Sequence, residues 1–118
     1  MDIERKIVEI LSPIFNNRVY PDIAPQTAIQ NDLQPFCVYT LVTVSPAAAN
    51  GCGGYVTQST MQIDIYVSTK KMQIVQERID FYKQVSDLLK ENGFKFQQGR
   101  QGFDKELRLY RSSSDWIY

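Results

Sequence analysis

The chain has 118 residues, enough for one domain around a single core and too few for a second. Its 13 basic and 13 acidic residues cancel, so it carries no electrostatic footprint for nucleic acid. It has no histidine, which removes the commonest general base and the commonest metal ligand together, and two cysteines alone cannot complete a structural zinc shell.

The first residues, Met1-Asp2-Ile3-Glu4-Arg5-Lys6, are charged and amphipathic, unlike the apolar h-region of a signal peptide. No apolar run approaches the ~20 residues that span a bilayer. The sequence therefore predicts a soluble intracellular protein, with a disulfide between Cys37 and Cys52 allowed but not required.

Ile3, Ile7, Ile10, Leu11 and Ile14 recur at helical spacing and predict a first helix of about three turns. Asp2 is placed to cap it, and Pro13 disfavours helical geometry at Ser12. Arg18 to Gln26 then reads as a short extended piece; Pro21 and Pro25 confine it to a sheet edge or a connector.

From Phe36 to Val44 both parities are apolar, with Phe36, Val38, Val42 and Val44 against Cys37, Tyr39 and Leu41. That pattern predicts a strand covered on both faces, by helices or by another subunit. Pro46 to Gly54 reads as a loop. Tyr55 to Val67 predicts an unusually long strand: Met61, Ile63, Ile65 and Val67 face one side, and Gln62, Asp64 and Tyr66 the other. Its polar outer half, Tyr55 to Thr60, reads as one arm of a hairpin projecting beyond the core.

Ser68-Thr69 can cap a second helix from about Lys70 to Glu91, closed by Asn92-Gly93. Two adjoining stripes, Met72, Val75, Ile79, Tyr82 and Leu89 beside Ile74, Phe81, Val85 and Leu88, give it an over-wide apolar face. Lys70 and Lys71 oppose the helix dipole at a cost of about 0.3–1 kcal/mol each, which solvation tolerates or a partner offsets. Phe94-Lys95-Phe96, then Gln97 to Gly102, then Phe103 reads as a strand, a glycine-containing tip and a return. The last strand, near Glu106 to Tyr118, places Leu107 and Leu109 on one face and Tyr110, Trp116 and Tyr118 on the other; a bulge near Arg111 to Ser114 would reconcile the change of parity. The expected fold is α+β, with two main helices packed on a mainly antiparallel four- to five-stranded sheet bearing a long hairpin, in one domain over 1–118.

Chemistry is sparse. Ser112-Ser113-Ser114-Asp115 cannot join a Ser-His-Asp arrangement in a chain without histidine, and reads as polar positions on an edge strand. Cys37 reads as a small core hydrophobe, and Cys52 has no recognisable activating base. Asn50-Gly51-Cys52-Gly53-Gly54 lacks the Gly-Lys-Ser/Thr ending of a P-loop and enters a strand instead of a helix. The pairs Asp22 with Asp32 and Asp104 with Glu106 have no positional logic for acid–base work. The aromatic residues fall at core spacing with too few basic neighbours for a base-stacking platform. No catalytic residue, cofactor or metal is expected, and neither an enzyme nor a nucleic-acid binder is favoured.

Four segments taken in order carry a resemblance: Arg18-Val19-Tyr20-Pro21 with Ala24-Pro25-Gln26, Pro35-Phe36-Cys37-Val38-Tyr39, Gln62-Ile63-Asp64-Ile65-Tyr66, and Leu109-Tyr110-Arg111-Ser112-Ser113-Ser114-Asp115-Trp116-Ile117-Tyr118. The series resembles the tail completion or tail terminator proteins of long-tailed bacteriophages and prophages, a family related in structure to the minor tail protein U of phage lambda. The family sets no fixed pattern for the loop from Ala47 to Gly54, and the three serines stand where bulkier residues are usual.

The resemblance implies helices on a mainly antiparallel sheet and a ring of identical subunits, usually a hexamer, at the head-proximal end of the tail tube. Such a ring ends tube polymerisation and meets the head–neck connector. Its partners would be its own copies, the major tail tube protein and the connector proteins, with no membrane and no specific nucleic-acid binding, although genomic DNA passes through. Its place would be the virion tail, after assembly in the host cytoplasm. The expected contact residues are Asn50, Gly51, Gly53 and Gly54 in one tip, Gln98, Gly99 and Arg100 in the other, Lys70 and Lys71 at the helix start, and Trp116 on the last strand. Two alternatives are a head–neck adaptor or stopper of the virion, and a cytosolic dimeric α+β module whose ligand pocket is lined by Tyr and Phe.

Overall fold

A computed structural model describes residues 3–25, 35–47, 56–68 and 74–118, with backbone alone at 43–47 and 56–58. Within these, the order is α1 (Ile3–Leu11), β1 (Val19–Pro21), β2 (Phe36–Ala47), β3 (Val56–Ser68), α2 (Val75–Glu91), β4 (Lys95–Asp104) and β5 (Leu109–Ile117). The fold is α+β, with two helices and a five-stranded mixed sheet, ordered β1-β2-β3-β5-β4, among the described residues. β1 runs parallel to β2, and the other neighbours are antiparallel.

Both helices contribute to the cluster on one side of the sheet. Ile7 and Leu11 from α1 and Tyr82, Val85 and Leu89 from α2, at the three- and four-residue spacing of a helix face, pack on Cys37, Met61, Ile63, Ile65, Val67 and Trp116. α1 ends at Leu11, ahead of Pro13, and the turn that follows uses Asn16 and Asn17 at φ 52° and 65°, a conformation asparagine tolerates. Asp2, read as the α1 cap, lies outside the described residues.

The closure of α2 follows the expectation for Asn92-Gly93. Gly93 sits at φ 91°, its N–H donates to Lys90 O (3.2 Å), and the Phe94 N–H donates to Leu89 O (3.1 Å). These are the two bonds of a Schellman motif, with Phe94 joining Leu89 in the core. The start of α2 is different. Ser68 is the buried last residue of β3 and Thr69 lies outside the described residues; the helix opens at Val75 after an extended Ile74 that makes no side-chain cap. Lys70 and Lys71 lie outside the described residues.

Four further expectations are corrected. Gln97 to Gly102 is no tip: it lies inside β4, a ten-residue strand at the sheet edge, and the turn falls at 105–108. The glycine and glutamine that suggest a loop suit an edge strand, whose side chains remain in water. Secondly, β5 has no bulge against β3, for the register runs unbroken from Thr60↔Ile117 to Ser68↔Leu109. Leu109 and Trp116 share no face because each serves a different cluster. Nor is β5 an edge strand; it lies between β3 and β4, with Ser112 and Ser113 buried.

Lastly, β2 is buried on both faces only as far as Tyr39; Leu41 and Val42 are exposed. Its second face is covered by no helix among the described residues but by a small cluster of Phe36, Val38 and Leu109, with Tyr20, Ala24, Tyr66 and Leu107 around it.

Candidate functional site

The polar chemistry of the described residues gathers on the sheet face opposite the helices. Asp64 on β3 is buried there; its carboxylate lies 3.3 Å from an Arg111 guanidinium nitrogen on β5 and accepts from Gln62 Nε2 at 3.0 Å. Tyr66 stacks on Phe36 with centroids 4.9 Å apart, and the Arg111 guanidinium lies 5.7 Å from the Tyr66 ring. Burial pushes the Tyr66 hydroxyl up, Arg111 draws it down, and the charges of Asp64 and Asp104 push it up again. Beside this network, Gln62, Gln98, Gly99, Arg100, Ser113 and Asp115 line a polar hollow of about 130 Å3. Gln98 Nε2 donates to Asp115 Oδ2 at 2.7 Å.

Nothing in this arrangement is an activated nucleophile. The Ser114 hydroxyl donates to the carbonyl of Ile63 and accepts from the indole Nε1–H of Trp116. The Cys37 thiol is fully buried, and desolvation with the nearby charge of Asp64 pushes its pKa well above the ordinary thiol range. Among the described residues no three His, Cys, Asp or Glu side chains gather as a metal site, and no helix is long and apolar enough to cross a membrane.

The helix side of the sheet offers a different surface. α2 leaves β4 uncovered, and an open groove of about 650 Å3 runs between them, lined by Ile79, Tyr82, Phe96, Gln101 and Trp116 among others. A second hollow of about 260 Å3 adjoins it at Val75, Ile79, Phe103 and Tyr110, where the Arg78 guanidinium lies 3.6 Å from the Tyr110 ring centroid. Phe96 is 52% and Phe103 48% exposed, although each makes an edge-on ring contact, with Trp116 at 5.3 Å and Tyr110 at 5.5 Å. The outer backbone of β4 has no strand partner among the described residues. Exposed apolar side chains beside an unpaired strand edge are the ingredients of a protein contact.

The expected contact residues fare unequally. Gln98, Gly99 and Arg100 are exposed and stand together, on the β4 edge instead of at a tip. Trp116 is 1% exposed and belongs to the core, so in the protomer it holds the sheet and offers no surface. Asn50, Gly51, Gly53, Gly54, Lys70 and Lys71 lie outside the described residues. The sequence reading did not single out Phe96 and Phe103, which the structure leaves half-exposed; their placement on either side of a polar run was the available signal. No protein-family model and no curated protein matches this chain.

Proposed function

We propose that this chain is a structural tail protein of a phage or prophage, which assembles as a ring on the head-proximal end of the tail tube, ends tube growth and joins tail to head. The supporting observation is how the four resembling segments are placed. They are not scattered over the surface: they are the neighbouring strands β1, β2, β3 and β5, hydrogen-bonded in one row through Val19↔Cys37, Cys37↔Ile65 and Ile65↔Ser112. The resemblance therefore falls on one continuous frame.

On this reading β2 and β3 are the arms of one long hairpin in a mainly antiparallel sheet. β5 covers β3 only from Thr60 to Ser68, whereas β2 and β3 stay paired out to Ala47↔Val56. Among the described residues, the ribbon beyond Thr60 and the outer edge of β1, on the far side of the sheet from β4, are two different surfaces, and a ring needs two different surfaces that meet head to tail. Self-association and capture of a tube end, instead of catalysis, is the work such surfaces suit.

The test is to mix the purified protein with tubes of the major tail protein and image the ends by negative stain. Rings of several subunits on one tube end, with tubes that stop lengthening, are expected. Tubes that keep growing with bare ends would overturn the proposal.

A further inference from the structure

We propose that β4 is a self-complementary edge, and that two copies of this chain join through it, antiparallel, about a two-fold axis at Arg100. This goes beyond the tail reading and does not rest on it. The argument comes from the register of β4. Its pairing with β5 shifts between Phe96 and Gln98, so Gln97 is the extra residue of a bulge. The ten residues of β4 less that one leave nine positions, with Arg100 at the centre.

Turned about Arg100, the strand meets itself with matched chemistry. Lys95 falls opposite Asp104 of the second copy, and Phe96 opposite Phe103; Gln98 meets Gly102, Gly99 meets Gln101, and each pair occurs twice. Antiparallel partners directly opposite one another must share a face, and these do. Phe96 and Phe103 both point to the helix side, onto Trp116 and Tyr110, while Lys95 and Asp104 sit opposite Ile117 and Leu109 on the other side. Without the bulge, Lys95 and Asp104 would lie on opposite faces and neither pair could form. The bulge thus sets the parity on which the complementarity depends.

A bulged edge is also a common way of preventing strand addition. Two observations favour pairing here. The charges at the two ends of β4 are opposite and attract in this register, where a protective edge would repel. The exposed apolar residues Val75, Ile79, Phe96 and Phe103 are drawn up along this one margin, so pairing sets the α2 grooves of the two copies side by side on one face of a joined sheet. Arg100 meets its own copy, the one like-charge contact in the register, and limits the strength of the joint. Asp104 Oδ1 already accepts from the backbone of its own turn, so the pair with Lys95 uses Oδ2. Such a contact closes after two copies, and is distinct from the head-to-tail contact of a ring.

The experiment measures mass by light scattering across a concentration range, together with cross-linking by a short bis-maleimide in a Cys52→Ser background. Dimers are expected. Lys95→Glu should weaken association at least about tenfold, since both symmetric pairs turn repulsive, and Arg100→Gln should tighten it. Arg100→Cys should cross-link to itself, whereas Gln98→Cys should not, because its two copies stand about 13 Å apart in this register. Circular dichroism confirms that each variant is folded. A monomer at every concentration, equal cross-linking at both positions, or rings without Arg100→Cys cross-links would overturn the pairing; the last result would leave the tail proposal standing. A cross-linked dimer that ignores tail tubes would uphold the pairing and defeat the tail proposal.

Discussion

Arg111 and Asp64 face each other across β3 and β5 at 3.3 Å, on the side of the sheet that the helices do not cover. The carboxylate is buried and the guanidinium is partly open to water, so removing one partner is not equivalent to removing the other. Arg111→Ala strands a buried negative charge that still accepts from Gln62 Nε2, and should cost about 2 kcal/mol in urea unfolding, below the range for a fully buried pair because water still reaches the guanidinium. Arg111→Lys keeps the charge and removes the buried Nε–H, which has no hydrogen-bond partner. It should cost clearly less than Arg111→Ala, and equal losses would show that packing, not charge, holds this corner.

Gly93 is the position where the end of α2 requires a positive φ. A Cβ there would stand 3.5 Å from Tyr118 Cε2, an ordinary contact, so the cost of Gly93→Ala is backbone strain alone, about 1–2 kcal/mol. Gly93→Asn should recover part of that loss. Thermal unfolding of the two variants side by side gives the comparison.

How far the sequence could be read is instructive at these two places. Asn92-Gly93 was legible because one backbone geometry demands one residue type, and the signal is local. The β4 segment was not. Glycine and glutamine are turn-like in a window of six residues, and only the neighbouring strand decides that they lie in a sheet. β5 misled for a related reason: Leu109 and Trp116 were both correctly seen as apolar, but two clusters on opposite faces imitate a shift of register. Helix stripes needed no such context, which is why Ile7, Leu11, Val85 and Leu89 were found as core. On the exposed side of β4, Gln98, Gly99 and Arg100 were singled out by composition, whereas the exposure of Phe96 and Phe103 needed the position of α2.

The turn between β4 and β5 is tied by one carboxylate. Asp104 Oδ1 accepts from the N–H groups of Glu106 and Leu107, both at 3.0 Å, and Arg108 follows at φ 57°. Asp104→Ala should cost about 1–2 kcal/mol through the lost bonds. Arg108→Gly should be close to neutral, since relief of the left-handed strain offsets the entropy gained by the unfolded chain. Arg108→Val, β-branched at positive φ, should destabilise. A chemical denaturation series on the three variants checks that order.

Alkaline stability should fall in two stages. Burial raises the Cys37 thiol and pushes the Tyr82 hydroxyl up to about 12, against a smaller downward pull from Arg78 on the latter. In both cases the folded chain keeps a proton that the unfolded chain releases. Stability is therefore intact below the unfolded values and declines as pH rises, from about 8.5 for the thiol and from about 10 for the tyrosine. Each group contributes at most about 1.4 kcal/mol per pH unit. Urea midpoints between pH 7 and 11 measure it, and Cys37→Ala should remove the first stage. In a Cys52→Ser background the remaining thiol should react with a disulfide reagent only as fast as the chain opens.

The strand order has a consequence for how the molecule comes apart. Among the described residues, β4 touches no other strand than β5, and β5 reaches the rest of the sheet only through β3. The local turn lets β4 and β5 form early as a pair, but their docking on β3 must close a chain loop that includes all of α2. The pair should therefore detach as one cooperative unit, and amide protons of both strands should exchange at a shared rate, ahead of those joining β2 to β3. When that unit opens, the long margin of β3 loses its cover, and the species most prone to aggregate is the one that has lost two strands together and not its edge strand alone.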